Sequence, residues 1–192
     1  SDKSKDDIMK KIEQEKDRAL KKQLEKNIFL GEYKERVIAA LTKEEVEEKG
    51  VYREIMQALK TKEAKNLKIA RDIEFSKIKD YVAEAEKIGM NYQLVDGLSY
   101  SGNIGLVVSA DDALENPVEN PIIKSVPERF REKGLADIYY ESMGEKICEF
   151  HKKIIHEELP EFENKYRDIT LIDKVLGVKC PIDEKLGGKK RG

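Results

Sequence analysis

The stretch that decides the fold is RVIAALTKEEVEEKGVYREIMQALK, residues 36–60, followed a few residues later by LKIA at 67–70. The apolar run at 36–41 has the length of a buried strand. Thr42 follows it directly with an N-cap side chain, and Glu45 stands three residues on, which is the spacing of a capping box. This stretch therefore predicts a strand that runs straight into a helix, and LKIA predicts a second short strand.

Three further patterns continue the alternation. Apolar residues at helical intervals run from Ile78 to Ile88 and stop at Gly89, the residue preferred just after a helix end. YQLV at 92–95 and IGLVV at 104–108 are typical of strands. The chain is thus expected to return to extended structure twice after the second helix.

Residues 34–110 therefore follow the order strand, helix, strand, helix, strand, strand. That order predicts an α/β (α+β) fold, a two-layer sandwich on a four-stranded sheet. Right-handed crossovers would make the sheet mostly parallel. Asp96-Gly97 is a turn signal, and a hairpin of the last two strands would make the sheet mixed.

The flanks differ from this centre. Residues 1–27 carry nine basic and seven acidic side chains with few apolar ones, which predicts a charged helix that docks only through its C-terminal half. Two Asn-Pro pairs, at 116–117 and 120–121, indicate a domain edge. We expect residues 28–115 to form the α/β domain, and residues 116–186 to form a helical extension that packs on this core. A basic disordered tail is expected at 187–192.

Within the extension, Ser125 and Glu128 have capping-box spacing, and one long helix is expected over 127–158. Five apolar residues step along it by three and four positions, as a partner-helix face would: Tyr140, Met143, Ile147, Phe150 and Ile154. The face suits an unknown protein partner or self-association. It suits equally the role of covering the open face of the sheet, which a two-layer architecture requires.

The central stretch also resembles the YueI-like family of uncharacterised bacterial proteins over about residues 28–115. The resemblance implies a chorismate-mutase-like α/β sandwich, the broad fold shared with ribosomal proteins that bind kink-turn RNA. It brings no established activity and no assigned site residues. It rests on Phe29-Leu30-Gly31, Arg36, Leu41-Thr42-Lys43, Glu48-Lys49-Gly50-Val51-Tyr52, Glu54-Ile55 and Ile104-Gly105-Leu106-Val107.

Composition excludes several classes of function. The 192 residues hold 37 Lys+Arg against 39 Asp+Glu, a net charge of -2, so no global attraction to nucleic acid or anionic lipid is expected. No window approaches the roughly 18 consecutive apolar residues of a membrane span. The two cysteines are too few for a disulfide framework and suit a reducing compartment. We expect a cytoplasmic protein without a cofactor.

The cysteines and histidines are candidates for metal ligands or catalytic groups. Cys148 and His151 lie at i and i+3 of one predicted helix, within reach of one metal ion, and Cys180 and His156 are conceivable further ligands. Zinc sites need four ligands at tight local spacing, however, and Cys148 borders the Ile147 seam, where a buried inert thiol is common. A packing role is expected, with no metal site and no catalytic residue.

RNA binding is possible by fold analogy. Thr42 and Lys43 lead into a helix N-terminus whose backbone N–H groups could hold a phosphate. Glu44 and Glu45 stand in the same turn, and residues 28–120 carry 13 basic and 18 acidic side chains, a net charge of -5. Charge therefore disfavours RNA. The predicted function is a non-catalytic interaction module, with an enzyme acting on a small molecule as the remaining alternative.

Overall fold

The structure is a computed structural model that describes residues 2–96 and 102–192. The chain divides into two compact units, Ser1–Ile123 and Lys124–Gly192. The first unit extends beyond the predicted edge at residue 115 because residues 121–123 pair with the first strand. The N–H of Ala40 donates to the carbonyl of Pro121 (2.8 Å), and the N–H of Ile123 donates to the carbonyl of Ala40 (2.9 Å). Packing of residues 116–186 on the α/β core stays a prediction.

The first unit contains the predicted order of elements, and the α/β class is confirmed. Its helices and strands, in chain order, are α1 (Asp2–Ile28), β1 (Val37–Thr42), α2 (Lys43–Glu47), α3 (Arg53–Leu59), β2 (Asn66–Ala70), α4 (Phe75–Lys87), β3 (Asn91–Val95) and β4 (Ile104–Ser109).

The four strands form a mixed sheet in the order β1-β4-β2-β3. β2 and β3 are parallel, joined by α4 as a crossover, whereas β4 runs antiparallel to both β1 and β2. Of the two predicted arrangements, mostly parallel or mixed, the mixed sheet is confirmed. It does not arise from a hairpin of the last two strands, because β3 and β4 are not neighbours. β4 takes a central place because all six of its residues are buried, while β3 is largely exposed at the edge. Gly97, half of the predicted turn, lies outside the described residues.

The junction of β1 and α2 is built as the sequence predicts. The Thr42 hydroxyl accepts from the N–H of Glu45, and the Glu45 carboxylate accepts from the N–H of Thr42, which completes the capping box. β4 crosses this junction closely. A Cβ on Gly105 would lie 2.9 Å from the Cα of Lys43 and 2.8 Å from Cδ1 of Ile73. Only glycine lets the backbone of Lys43 approach this strand.

Helix α1 is continuous over its 27 residues and has no buried residue. The predicted docking of its C-terminal half is limited to partial burial of residues 25–27. The chain is anchored just beyond the helix, where Phe29 and Leu30 are 5% and 2% exposed. The core of the first unit then follows the predicted apolar pattern; its largest fully buried residues are Leu30, Leu41, Ile55, Leu59, Leu67, Ile69, Ile78, Tyr81 and Leu106.

The second unit consists of short elements, and the single helix predicted over 127–158 was wrong. The unit contains α5 (Val126–Glu132), α6 (Ile138–Glu141), β5 (Lys146–Ile147), α7 (Glu149–Glu158), β6 (Arg167–Asp168), α8 (Leu171–Val175) and α9 (Pro181–Leu186). Gly134 and Gly144 adopt left-handed backbone conformations, with φ of +71° and +90°, and reverse the chain where a helix would continue. β5 and β6 pair in parallel.

The end of the chain packs within the second unit instead of forming the predicted disordered tail. The carbonyl of Lys190 accepts from Nε2 of His151 (2.8 Å) and from the hydroxyl of Tyr139 (3.2 Å), and Arg191 pairs with Glu158. His151 and Tyr139 are fully buried, so each polar group needs a partner inside the unit. Throughout the described ranges, no helix combines the length and the apolar character that crossing a membrane requires.

Candidate functional site

Helix α8 and the residue that caps its C-terminus, Leu176, carry a patch of exposed aliphatic side chains. Leu171, Ile172, Val175 and Leu176 are 80%, 72%, 87% and 74% exposed. At roughly 100 Å² of exposed apolar area for each side chain, these four residues present about 400 Å². Patches of this size are the largest that monomeric proteins carry and are often functional. We call these four residues the α8 patch.

Polar contacts hold α8 from its opposite side. The Thr170 hydroxyl accepts from the N–H of Asp173 (3.1 Å), and the Asp173 carboxylate accepts from the N–H of Thr170 (2.9 Å). The ammonium of Lys146 donates to the same carboxylate at 2.7 Å. The Lys146 bond, followed by the bonds from Thr170, lowers the pKa of Asp173 to about 2. With this side anchored, the aliphatic side chains are left pointing into solvent.

The order of residues in α8 is nearly symmetric. LIDKVL, residues 171–176, gives two aliphatic residues and then a charged one when it is followed from either end. At 100° per residue, the four aliphatic side chains fall within an arc of about 140°. Asp173 and Lys174 flank this arc on its two sides. The exposure of these side chains could not be expected from the sequence, because apolar residues of a short helix are usually buried.

The residues predicted to form one partner-helix face do not share a helix. Tyr140 lies in α6 and Ile147 in β5, whereas Phe150 and Ile154 lie in α7; Met143 lies between α6 and β5. Ile147 is buried in the core of the second unit, and Tyr140, Met143 and Ile154 pack against that core. Phe150 alone among them has substantial exposure, at 37%. Their three- and four-residue spacing thus reflects a core assembled from several elements.

The predicted anion site at Thr42 and Lys43 has its groups engaged within the chain. The N–H of Lys43 donates to the carbonyl of Asn103 (2.7 Å), and the Lys43 ammonium pairs with Asp72 (2.8 Å). The capping box engages the N–H groups of Thr42 and Glu45. A phosphate at this turn would have to displace these bonds, so the local structure adds nothing to the RNA hypothesis.

The second unit brings together three of the residues that were weighed as metal ligands. The Sγ atoms of Cys148 and Cys180 lie 3.1 and 3.7 Å from Nδ1 of His151. Asp183, which the sequence analysis missed, places Oδ1 3.1 Å from the same nitrogen. All four ligand atoms lie within 4.8 Å of one another. We call Cys148, His151, Cys180 and Asp183 the Cys–His–Asp cluster.

His156, the fourth ligand suggested from sequence, lies elsewhere. Its Nδ1 is 2.7 Å from the Glu163 carboxylate, and that hydrogen bond raises the pKa of His156. The sequence contained a signal for Asp183: two four-residue segments each begin with a cysteine and end with a residue that can bind a metal ion. Cys148-Glu149-Phe150-His151 opens α7 and Cys180-Pro181-Ile182-Asp183 opens α9, each with cysteine at the N-cap. The expected long helix hid this parallel, because it placed Cys148 mid-helix.

A depression of about 720 Å³ lies beside the cluster. Cys148, Cys180 and Asp183 form part of its wall, together with Phe150 and Lys153. Burial raises the pKa of the Cys148 thiol to about 11 in the absence of any metal ion. His151 and Cys180 are 0% and 3% exposed, and the cluster is therefore reached from solvent through Cys148 and Asp183.

Three comparisons with known proteins relate the chain to one family. A curated relative, "Uncharacterized protein YueI" from Bacillus subtilis (strain 168), is 31% identical over 90 residues, which are 47% of this chain and 68% of the relative. The crystal structure of the YueI protein from Bacillus subtilis has a TM-score of 0.49 and 26% identity, covering 55% of this chain and 80% of that one. A family model described as "Protein of unknown function (DUF1694)" matches residues 5–119. The α8 patch and the Cys–His–Asp cluster lie beyond the matched residues, and through residues 5–119 the chain belongs to this uncharacterised, YueI-like family.

Proposed function

We propose that the chain is a non-catalytic cytoplasmic interaction module that self-associates through the α8 patch. The observation that carries the proposal is the 72–87% exposure of four adjacent aliphatic side chains on a helix whose polar side is anchored. Aliphatic side chains offer contact area and no acid, base or nucleophile, so the patch suits docking and not bond making. Both cysteines are free, which fits a reducing compartment.

A second copy of the chain is the occupant that the patch fits best. A two-fold contact is isologous, which means that the same surface of both copies meets. Each residue must therefore fit the residue that the two-fold rotation places opposite it. An antiparallel pair of α8 helices would set Leu171 against the partner's Leu176 and Ile172 against the partner's Val175. The near-symmetric order LIDKVL meets this requirement without any second surface.

The exposed area suits a weak, transient contact between two copies. Two patches would remove about 800 Å² of apolar surface from water. Flanking groups such as Val178, which is 37% exposed, would bring the buried area towards the roughly 1,200 Å² at which specific interfaces begin. Contacts at this lower limit are mostly weak and transient, and area alone does not determine their affinity.

The oligomeric state in solution tests the proposal. Light scattering coupled to gel filtration, at chain concentrations on the order of 100 μM, should give the mass of a dimer. Leu171→Asp places a charge within the apolar contact, opposite the partner's Leu176, and should give a monomer. Leu20→Asp is the matched control, because Leu20 is 60% exposed on α1, far along the chain from α8. It should leave the dimer intact.

Each result bears on the proposal. A wild-type monomer at this concentration contradicts it. A dimer that Leu20→Asp disrupts and Leu171→Asp leaves intact contradicts it as well, because association then runs through α1. Circular dichroism of Leu171→Asp should match the wild type, since the substituted side chain is exposed, and this separates loss of contact from loss of fold.

A further inference from the structure

We propose that Cys148, His151, Cys180 and Asp183 bind one Zn²⁺ ion, which joins the start of α7 to the start of α9. The site goes beyond the self-association proposed above and does not depend on it. It lies within the second unit, and its four ligands come from two short segments 32 residues apart in sequence.

The geometry matches tetrahedral coordination. Zinc bonds of about 2.3 Å to sulfur and about 2.0–2.2 Å to nitrogen and oxygen imply ligand-to-ligand distances of about 3.4–3.8 Å. In the structure, the distances to Nδ1 of His151 are 3.1, 3.7 and 3.1 Å, and no pair in the cluster exceeds 4.8 Å. Shifts of up to about 1 Å would bring all four ligand atoms to tetrahedral distances.

The orientation of His151 supports metal binding independently of these distances. Nε2 lies 2.8 Å from the carbonyl of Lys190, an acceptor, so a neutral ring carries its proton on Nε2. Nδ1 then presents a lone pair to the cluster. Zinc-bound histidines commonly donate their other N–H to a backbone carbonyl in this way, which fixes the tautomer. Tyr139 donates to the same carbonyl and helps to hold it in place.

The Asp183 carboxylate is the group most in need of a cation. Its Oδ1 is buried and accepts no hydrogen bond. It faces the lone pair of Nδ1 at 3.1 Å, so two acceptors meet inside the fold. Leaving a buried carboxylate oxygen without a partner costs free energy. A divalent cation between the two atoms converts that repulsion into coordination.

The donor set selects zinc. Two thiolates and an imidazole disfavour Mg²⁺ and Ca²⁺, which take oxygen ligands, and suit a tetrahedral Zn²⁺. Binding releases the two thiol protons, because thiolates are the ligands. Four protein ligands complete the tetrahedron and leave no position for a substrate, so the ion is structural. Such an ion suits a unit of this size, since natural proteins below about 70–80 residues often add a structural metal or disulfides to a small core.

Metal analysis of the full chain, produced without a histidine tag, tests the site directly. Elemental analysis should find one zinc per chain. Titration of the metal-free chain with Co²⁺ should produce the visible absorption bands of tetrahedral, thiolate-bound cobalt, and added Zn²⁺ should abolish them. The chain has only two cysteines, so both thiols should become unreactive towards a thiol reagent when zinc binds.

Two substitutions locate the ion. Asp183→Asn keeps the shape of the side chain, is partly exposed, and should weaken zinc binding about tenfold or more. His156→Asn is the matched control at the chain's other histidine and should retain full affinity. Cys148→Ser, at a half-buried position, gives a second test if Asp183→Asn is poorly folded.

Three results would overturn the proposal. One is a folded wild-type chain that binds neither Zn²⁺ nor Co²⁺ stoichiometrically. Another is a loss of affinity in His156→Asn equal to that in Asp183→Asn. The third is a Cys148–Cys180 disulfide in the freshly purified, metal-free chain, detected by mass spectrometry under non-reducing conditions.

Discussion

The two units of this chain are stabilised in different ways. In the first unit, an apolar pattern along strands and helices becomes a core made mainly of aliphatic side chains, together with the buried aromatic residues Phe29, Tyr52 and Tyr81. In the second unit, the core includes a buried histidine, a cysteine and two tyrosines, and its helices have ten residues or fewer. A small unit can therefore reach a defined fold through a few buried polar contacts. Such contacts cannot be recognised from the hydrophobic periodicity of the sequence.

Removing the proposed zinc ion should produce the largest difference in stability between the two units. A structural zinc contributes on the order of 10 kcal/mol to the folding of small zinc peptides, so a chelator should destabilise Lys124–Gly192 and leave Ser1–Ile123 folded. Hydrogen exchange measured by mass spectrometry reports both units in the same full-length sample. We expect the amides of α7 and α9 to lose protection and those of β4 to keep it. An equal loss of amide protection in both units would show that zinc does not stabilise the second unit selectively.

A pair of isoleucines compares the core of the second unit with its surface. Ile155 is fully buried and Ile172 is 72% exposed. Ile155→Ala should cost about 2–5 kcal/mol, because it leaves a cavity. Ile172→Ala should change the free energy of unfolding by about 0.5 kcal/mol or less when measured on the monomer. Chemical denaturation gives both values, and a large cost for Ile172→Ala would mean that the α8 patch packs against the chain.

The first unit could be predicted from sequence because its signals are local. The Thr42–Glu45 capping box, the helix end at Gly89 and the strand runs each depend on neighbours a few residues away. The sheet order could not be predicted, since the central place of β4 depends on pairing between distant strands. The prediction of one long helix in the second unit was wrong because it followed the apolar spacing and ignored Gly134 and Gly144, where the helix is interrupted. Cys148, His151 and Cys180 were considered as ligands but rejected, and Asp183 was missed, because the two segments, 32 residues apart, meet only in the folded chain.

Two glycine substitutions test the close approach of β4 to α2 in the first unit. Gly105→Ala places a methyl group 2.8 Å from Cδ1 of Ile73 and 2.9 Å from Cα of Lys43, and the backbone at Lys43 cannot withdraw easily. Overpacking of this kind should cost about 3 kcal/mol. Gly89→Ala is the control: its Cβ meets nothing within 4 Å, so only the left-handed backbone, at φ +71°, adds a cost of about 1 kcal/mol. Urea denaturation should rank them in this order, and the reverse ranking would argue against the close approach of β4 to α2.

The smallest expected effect concerns Asp173 in the second unit, and it depends on pH. Its pKa is lowered from 3.8 to about 2, chiefly by the hydrogen bond from Lys146 and then by those from Thr170. A carboxylate with a lowered folded-state pKa stabilises the fold above its unfolded pKa and loses that contribution as the pH falls from about 4 towards 2. Asp173→Asn should therefore lower the melting temperature of the second unit at pH 7, and the difference from the wild type should vanish near pH 2.

The control for Asp173 is the neighbouring ion pair on β6. The Asp168 side chain is 69% exposed and pairs with Lys152 at 2.8 Å. Because water screens such a pair, Asp168→Asn should have almost no effect at either pH. A melting-temperature difference for Asp173→Asn that stays constant from pH 7 to pH 2 would mean that the side chain acts through its shape as a cap and not through its charge. The anchoring of α8, and with it the exposure of the α8 patch, would then depend on Thr170 more than on Lys146.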